Sequence, residues 1–206
     1  HLVFEGPPGT GKTTVARLYG RILAALGVLE GGTVVEVSRA DLVAEHVGGT
    51  AARTTEKFHA ARGGVLFVDE AYTLCPPDPG GQDFGREAVD TLVKLMEDHR
   101  DEVVVIVAGY SPQMRAFLAA NPGLASRFSR TVEFASYSSA ELVTVVEALC
   151  REHRYALEYE TRAALRAVFD RMPRGETLGN ARAARAVFEE MLGRQAYRLA
   201  SGGGGS

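Results

Sequence analysis

Gly6-Pro7-Pro8-Gly9-Thr10-Gly11-Lys12-Thr13 is the stretch that decides the fold. It matches the pattern G-x-x-x-x-G-K-[ST] in full, and its flanks are of the right kind. Leu2-Val3-Phe4 ahead of it reads as a buried strand, and Thr14 to Leu29 behind it has the pattern of a helix. A strand, a glycine-rich turn and a helix in that order make a phosphate-binding loop. The glycines let the backbone curl until its N–H groups face phosphate oxygens. The start of the helix adds further donors and a partial positive charge. In this reading Lys12 reaches the β- and γ-phosphates, and Thr13 offers its hydroxyl to Mg2+. The plain alternative, a tight Gly/Pro turn between strand and helix, loses its force once a second motif is counted.

That motif is Gly64-Val65-Leu66-Phe67-Val68-Asp69-Glu70-Ala71. Four apolar residues run into two adjacent carboxylates. A continuous apolar run of this length suits a strand covered on both faces. Asp69 at its end is placed to hold Mg2+, and Glu70 to polarise the water that attacks a γ-phosphate. Phosphoryl transfer to water needs carboxylates in these two roles, one managing the metal and one the nucleophile. Taken alone, Asp-Glu after a strand is equally a solvent-facing helix start.

The rest of the composition narrows the class. A chain of 206 residues, 46% hydrophobic and 24% charged, buries a substantial core and is not a disordered segment. A net charge of −3 supplies no global attraction to nucleic acid or anionic lipid, so no nucleic-acid partner is expected. Cys75 and Cys150 are too few and too far apart for a zinc signature or a disulfide framework, and the five histidines lack ligand spacing. A reducing, cytoplasmic compartment is the expectation. No apolar run approaches the ~20 residues of a membrane span. The chain begins at His1, two residues into a strand, and ends in Ser201-Gly-Gly-Gly-Gly-Ser206, so it is expected to be a domain taken from a longer protein.

Five apolar segments alternate with helical patterns: 2–5, 34–38, 65–69, 103–108 and 131–134. Such alternation argues a parallel three-layer α/β sheet. In the first helix Val15, Leu18, Tyr19, Ile22, Leu23 and Leu26 form a stripe expected to pack on the sheet. The segment 42–61 is helical in parts, broken at Gly48-Gly49. In 84–99, Phe84, Ala88, Val89, Leu92, Val93 and Met96 share a face, and 76–81 is a loop. After Phe134 the strand pattern stops. Ser138-Ser139-Ala140-Glu141 is a capping box, with Ser138 as cap. Further helices carry Leu165, Val168, Phe169 and Met172, then Val187, Phe188, Met191 and Leu192, the last with Asn180 as its expected cap. The division is a core over 1–135, a helical subdomain over 136–199, and a linker or remnant over 200–206.

A nucleotide-loop α/β core, a carboxylate pair and a trailing helical lid resemble the AAA+ ATPase superfamily, over residues 1–199. The resemblance is strongest to the group containing red-type Rubisco activase, the ATPase of mycobacterial type VII secretion and stage V sporulation protein K. It rests on Asp83-Phe84-Gly85-Arg86-Glu87-Ala88 through Leu95-Met96-Glu97-Asp98-His99-Arg100, on Val107-Ala108-Gly109-Tyr110, on Asn121-Pro122-Gly123-Leu124-Ala125-Ser126-Arg127-Phe128, and on Gly179-Asn180-Ala181-Arg182. The resemblance implies a P-loop NTPase sheet of strand order 5-1-4-3-2 followed by a lid. It implies ATP and Mg2+ as cofactors, with Gly6, Pro7, Pro8, Gly9, Thr10, Gly11, Lys12, Thr13, Thr14 and Asp69 binding nucleotide, and Thr13 and Asp69 at the metal.

Among catalytic groups it implies Glu70; Arg127 as the finger reaching a neighbouring subunit's site, with Arg130 as alternative or assistant; and Arg182 as the lid arginine that senses the γ-phosphate. A guanidinium chelating phosphate oxygens is the physical sense of such fingers. Without the resemblance, Arg127 and Arg130 are surface ion-pair residues, and Arg182 is one more arginine on the face of Arg185, which Glu189 is spaced to pair with.

Two positions depart from the wider pattern. Where many members carry a polar Asn at the end of the fourth strand, this chain has Gly109-Tyr110, so water orientation falls to Glu70 or to a neighbour such as Ser111. Where relatives place an aromatic in an axial loop, it has Glu45-His46-Val47-Gly48. The family also draws part of its adenine pocket from residues before the first strand, so weak nucleotide binding is expected of this segment alone. The resulting expectation is ATP hydrolysis by a homo-oligomer, a hexamer, that remodels a protein client. A nucleotide-gated assembly module with negligible turnover is the alternative.

Overall fold

Apolar runs without alternating polarity are stable as strands only when both faces are covered. The computed structural model covers the segments at 2–5, 65–68 and 104–109 so, whereas the one at 130–133 is exposed. It describes residues 1–45, 48–76, 84–173 and 179–202. The chain divides into two compact units, one of His1–Gly6 with Gly11–Phe134, the other of Pro7–Thr10 with Ala135–Ser206.

In the first unit β1 (Leu2–Glu5), β2 (Val34–Val37), β3 (Val65–Val68), β4 (Val104–Gly109) and β5 (Arg130–Glu133) form one sheet. Every pairing is parallel and the order is β2-β3-β4-β1-β5, the order expected from the resemblance. Each strand starts or stops within a residue of its predicted bounds. Period-two geometry sends Leu66, Val68, Val105 and Val107 to one face, where they join Leu42, Phe58, Leu92 and Met96. Val65, Phe67, Ile106 and Ala108 go to the other, with Leu2, Phe4 and Ala16. The helices on these faces are α1 (Lys12–Ala25), α2 (Arg39–Leu42), α3 (Gly49–Ala60), α4 (Gly85–Asp98), α5 (Ser111–Ala120) and α6 (Pro122–Ala125), with a 3-10 turn at Ala71–Leu74. The break expected at Gly48-Gly49 is real: Gly48 caps α3 in the left-handed region.

Helix α1 corrects the sequence reading. It ends at Ala25 rather than Leu29, and only part of the expected stripe packs. Ala16 and Gly20 are buried, with Tyr19 and Leu23 against the same cluster. Val15, Leu18, Ile22 and Leu26 are 38%, 53%, 46% and 71% exposed. The reason is distance of approach. A Cβ built on Gly20 would stand 3.1 Å from both the Gly32 carbonyl and Val65 Cγ2. The helix comes so close to the sheet that its smallest residues face inward with Tyr19 and Leu23 flanking them, while Val15, Leu18, Ile22 and Leu26 turn away.

The second unit contains α7 (Ser139–Glu152), α8 (Tyr159–Arg171) and α9 (Ala181–Gly202). Leu142, Val146, Leu149, Leu165, Phe169, Ala184 and Phe188 form its core. The capping box is present as expected: Ser138 Oγ accepts from the Glu141 amide, and the Glu141 carboxylate accepts from the Ser138 amide. Val168, expected inside, is 37% exposed. Helix α9 runs on to Gly202, and its ion pair joins Arg194 to Glu190. Among the described residues, no helix is long and apolar enough to cross a membrane.

Two glycines in helices test the packing from opposite sides. Gly20→Val pushes a branched side chain against the Gly32 carbonyl and Val65, and is expected to cost about 1–3 kcal/mol as overpacking. Gly193 in α9 has nothing within 4 Å of its would-be Cβ. Gly193→Ala is expected to stabilise by about 0.5–1 kcal/mol through helix propensity and lost unfolded-state entropy. Urea denaturation of both variants reads the two signs, and equal signs would refute the packing account.

Candidate functional site

The loop after β1 is placed by one backbone bond. The Gly6 amide donates to the Gly109 carbonyl at 3.0 Å, so the end of β1 is tied to the end of β4. Gly6 has φ +150, and a Cβ there would lie 2.2 Å from the Phe134 carbonyl. Only glycine fits, because the chain must pass this close to the end of β5. The loop then turns into α1, whose first residue is Lys12. Lys12 Nζ donates to the Gly6 carbonyl at 2.8 Å, which folds the amine back over the loop's start. The first turn of α1 carries no acidic residue, and its leading amides have no partner within the helix. This leaves a cluster of N–H donors, an ammonium and the half-buried Thr13, with Thr14 exposed behind it.

Asp69 and Glu70 sit at the same edge, since all strand ends of a parallel sheet face one way. The Asp69 amide still belongs to the ladder, donating to the Val37 carbonyl at 2.8 Å. At Glu70 the backbone leaves it with φ 48 and ψ 45, the left-handed region that a residue with a side chain adopts at a cost. The Glu70 amide donates to Asp69 Oδ1 at 3.1 Å. Its carbonyl accepts from Thr73, both amide and hydroxyl. Both carboxylates emerge exposed to solvent. A hydroxyl on Thr13 and an exposed carboxylate on Asp69 are hard oxygen donors, the kind that suits Mg2+.

Tyr72 was not singled out by sequence reasoning. Burial, with Glu70, Tyr110 and Asp69 close enough to add their charge, pushes its hydroxyl up to about 12. It therefore stays protonated at neutral pH. Its ring meets that of Tyr110 at 6.2 Å between centroids.

Arg127 lies between α6 and β5, and Arg130 is the first residue of β5, exposed. The Arg127 guanidinium is held within its own unit. Nη1 donates to the Gly123 carbonyl at 2.7 Å, and Nη2 to Glu97 Oε2 at 3.3 Å. Its Nε is buried without a partner. Glu97 had no assigned part in the sequence reading.

In the second unit the apex of the loop, Pro7–Thr10, meets the start of α9. The Ala181 amide donates to the Gly9 carbonyl at 3.0 Å. Gly9 has φ +71, and a Cβ on it would stand 2.2 Å from the Gly179 carbonyl and 3.3 Å from the Arg182 nitrogen. Arg182 is thus beside the loop's apex through its backbone. Asn180 stands at the cap position expected of it, directly before α9, and its carbonyl accepts the Ala184 amide at 3.1 Å, but its side chain is not what caps the helix. It is fully buried at φ +47, and its side chain bridges instead. Oδ1 accepts from the Tyr137 amide at 2.8 Å, and Nδ2 donates to the Pro8 carbonyl at 3.0 Å. Tyr137 adds a hydroxyl bond to the Thr10 carbonyl at 3.0 Å. His46 and Val47 of the axial stretch, Asp83 and the loop 77–81 lie outside the described residues.

Comparison with known proteins agrees with the geometry. The model of the ATPase family associated with various cellular activities (AAA) matches residues 2–136, and that of the AAA lid domain matches 138–205. Stage V sporulation protein K of Bacillus subtilis is 42% identical over 205 residues, covering 98% of this chain and 63% of that protein. The chloroplastic ribulose bisphosphate carboxylase/oxygenase activase of Cyanidioschyzon merolae is 40% identical, covering 97% of this chain and 68% of that protein. ESX-1 secretion system protein EccA1 of Mycobacterium tuberculosis is 44% identical, covering 92% of this chain and 35% of that protein. The chain therefore spans about a third to two thirds of the curated relatives it matches. These are the three kinds of relative that the sequence motifs pointed to.

Asn180→Ala is expected to cost on the order of 2–4 kcal/mol, because the Tyr137 amide and Pro8 carbonyl lose buried partners. Asn180→Gly loses the same bonds but tolerates the left-handed backbone, and is expected to be about 1 kcal/mol milder. Chemical denaturation measures both, and Asn180→Ala within error of the parent would refute the bridging role.

Proposed function

Because the chain belongs to the AAA ATPase family, we propose that it binds ATP with Mg2+ and hydrolyses it to ADP and phosphate. The observation that supports this most is the shared edge: the loop bearing Lys12 and the Asp69-Glu70 pair both leave C-terminal ends of one parallel sheet, on strands separated only by β4. Ligands of open parallel sheets collect at that edge.

Each residue then has a part. Residues Gly6 to Thr14 wrap the phosphates, with backbone amides and the α1 terminus as donors. Lys12 exchanges the Gly6 carbonyl for β- and γ-phosphate oxygens. Thr13 and Asp69 hold Mg2+, which when bound offsets phosphate charge. Glu70 takes a proton from the attacking water as that water meets the γ-phosphorus. Arg127 leaves Glu97 to contact the γ-phosphate of a neighbouring subunit, with Arg130 beside it, and Arg182 reports the same phosphate to the helical unit. The pair that Arg127 must break is cheap, because Glu97 is 64% exposed and such pairs are worth about 0–1 kcal/mol. In this reading the working form is a homo-oligomer, a hexamer, and its output is remodelling of a protein client in the cytoplasm.

Two experiments test this. Glu70→Gln is expected to keep ATP affinity within a few-fold and lose most turnover, while Lys12→Ala loses affinity itself. Isothermal titration with ATP·Mg2+ and a phosphate-release assay separate the two, and normal turnover by Glu70→Gln overturns the proposal. Equally negligible turnover in every protein, the parent included, with intact ATP binding would favour the assembly-module alternative.

The shared site is tested by mixing. Arg127→Ala is expected to bind ATP and lose on the order of 10³-fold in rate. Mixed with Glu70→Gln subunits it should regain turnover, since some interfaces pair an intact Glu70 with an intact Arg127. No recovery at any ratio, with mixed oligomers confirmed by native mass spectrometry, would exclude a finger in trans.

A further inference from the structure

The ring of Tyr72 occupies the space that a side chain at position 109 would take. A Cβ built on Gly109 would lie 2.7 Å from Tyr72 Cδ1 and 2.8 Å from Cε1, with Met114 Sδ at 2.8 Å on another side. The end of β4 is thus bare of its own side chain because another element covers it. That element is the 3-10 turn at Ala71–Leu74, which starts directly after Glu70 and is fastened to the Glu70 carbonyl by Thr73. Tyr72 is therefore held by the same turn that gives Glu70 its left-handed backbone. On its other side, the Gly109 carbonyl accepts the Gly6 amide, and Lys12 Nζ bonds the Gly6 carbonyl. A continuous line of contacts runs from Lys12 through Gly6 and Gly109 to the Tyr72 ring, and the turn that carries this ring starts directly after Glu70. No described side chain or carbonyl takes a hydrogen bond from the Tyr72 hydroxyl, and the residue is half-buried.

We infer that Tyr72 is a water-positioning residue for the hydrolytic step, its hydroxyl serving beside Glu70 at the bare end of β4. The inference rests on the ATP-hydrolysis reading above. An attacking water has two hydrogens and must present a lone pair to phosphorus. With one hydrogen on the Glu70 carboxylate and the other on Tyr72 Oη, the lone pair is left facing the phosphate. Glu70 alone fixes only one of those directions, since its carboxylate takes only one of the water's two hydrogens. Tyr72, wedged by its ring on Gly109, supplies a second anchor with little freedom to lose.

The aromatic wedge and the hydroxyl are separable. Tyr72→Phe keeps the ring against Gly109 and removes only Oη, so its melting temperature and ATP affinity are expected to match the parent within error and a few-fold. Its kcat is expected to fall about 10- to 100-fold, as for loss of one oriented hydrogen-bonding partner of the reacting atoms. Tyr110→Phe, which removes the hydroxyl of the neighbouring ring, is expected to turn over like the parent. Calorimetric ATP titration, thermal melts and single-turnover phosphate release on these two variants and on Glu70→Gln decide the matter. Normal kcat in Tyr72→Phe, with Glu70→Gln inactive, overturns the role of Tyr72 and leaves the ATPase reading standing. A loss confined to affinity in Tyr72→Phe, or a loss that follows Tyr110→Phe instead, overturns it likewise. Normal turnover in Glu70→Gln would remove the reading on which the inference rests.

Discussion

Parallel pairing aligns Glu5 of β1 with Gly109 of β4, and the next amide, that of Gly6, donates to the Gly109 carbonyl. The arrangement of the larger unit depends on this register. It sets where the glycine loop leaves the sheet, and so where Lys12 begins its helix. It sets which glycine lies under Tyr72. A slip of one residue would send Val3 and Phe4 to the wrong faces, exchanging two buried clusters, so the register is strongly specified by burial alone.

Close approach is the second organising constraint. The sheet meets α1 most closely at Ala16 and Gly20, and the chain passes β5 only as Gly6. In each case a missing side chain lets two backbones meet, and larger groups are displaced to carry other tasks. The apolar residues turned outward on α1 are one result. The Tyr72 ring lying on Gly109 is another, and it brings a hydroxyl into the neighbourhood of two carboxylates.

Within each unit the polar groups divide by how firmly they are held. Asn180 is buried and makes two bonds to backbone, so it is architecture. Glu70 has a fixed backbone and an exposed side chain, which suits a group that must meet a ligand. Arg127 is intermediate. Its Nη1 bond to Gly123 is short, whereas its contact with Glu97 is long and solvent-facing. Its resting pose is defined, yet the charge pair in it is weak enough to exchange for a phosphate.

The amino-acid sequence by itself determined the class of fold, the strand order by way of its family motifs, the capping box at Ser138 and the two motifs at Gly6–Thr13 and Gly64–Ala71. These are local patterns: hydrophobic runs, glycine spacing and carboxylates at a strand end act within a few residues of one another. Only the tertiary structure decided which face of α1 is inward, because six apolar residues satisfied the period and the approach distance chose among positions the pattern could not rank. Only it showed the Asn180 side chain, at the head of α9, as a bridge to Tyr137 and Pro8, since its partners lie 43 and 172 residues away. It likewise joined Arg127 to Glu97 across 30 residues and brought Tyr72 against Gly109. Contacts of that kind leave no periodic trace along the chain. They exist because each unit folds distant residues together, and what meets there is set by the room that side chains leave one another.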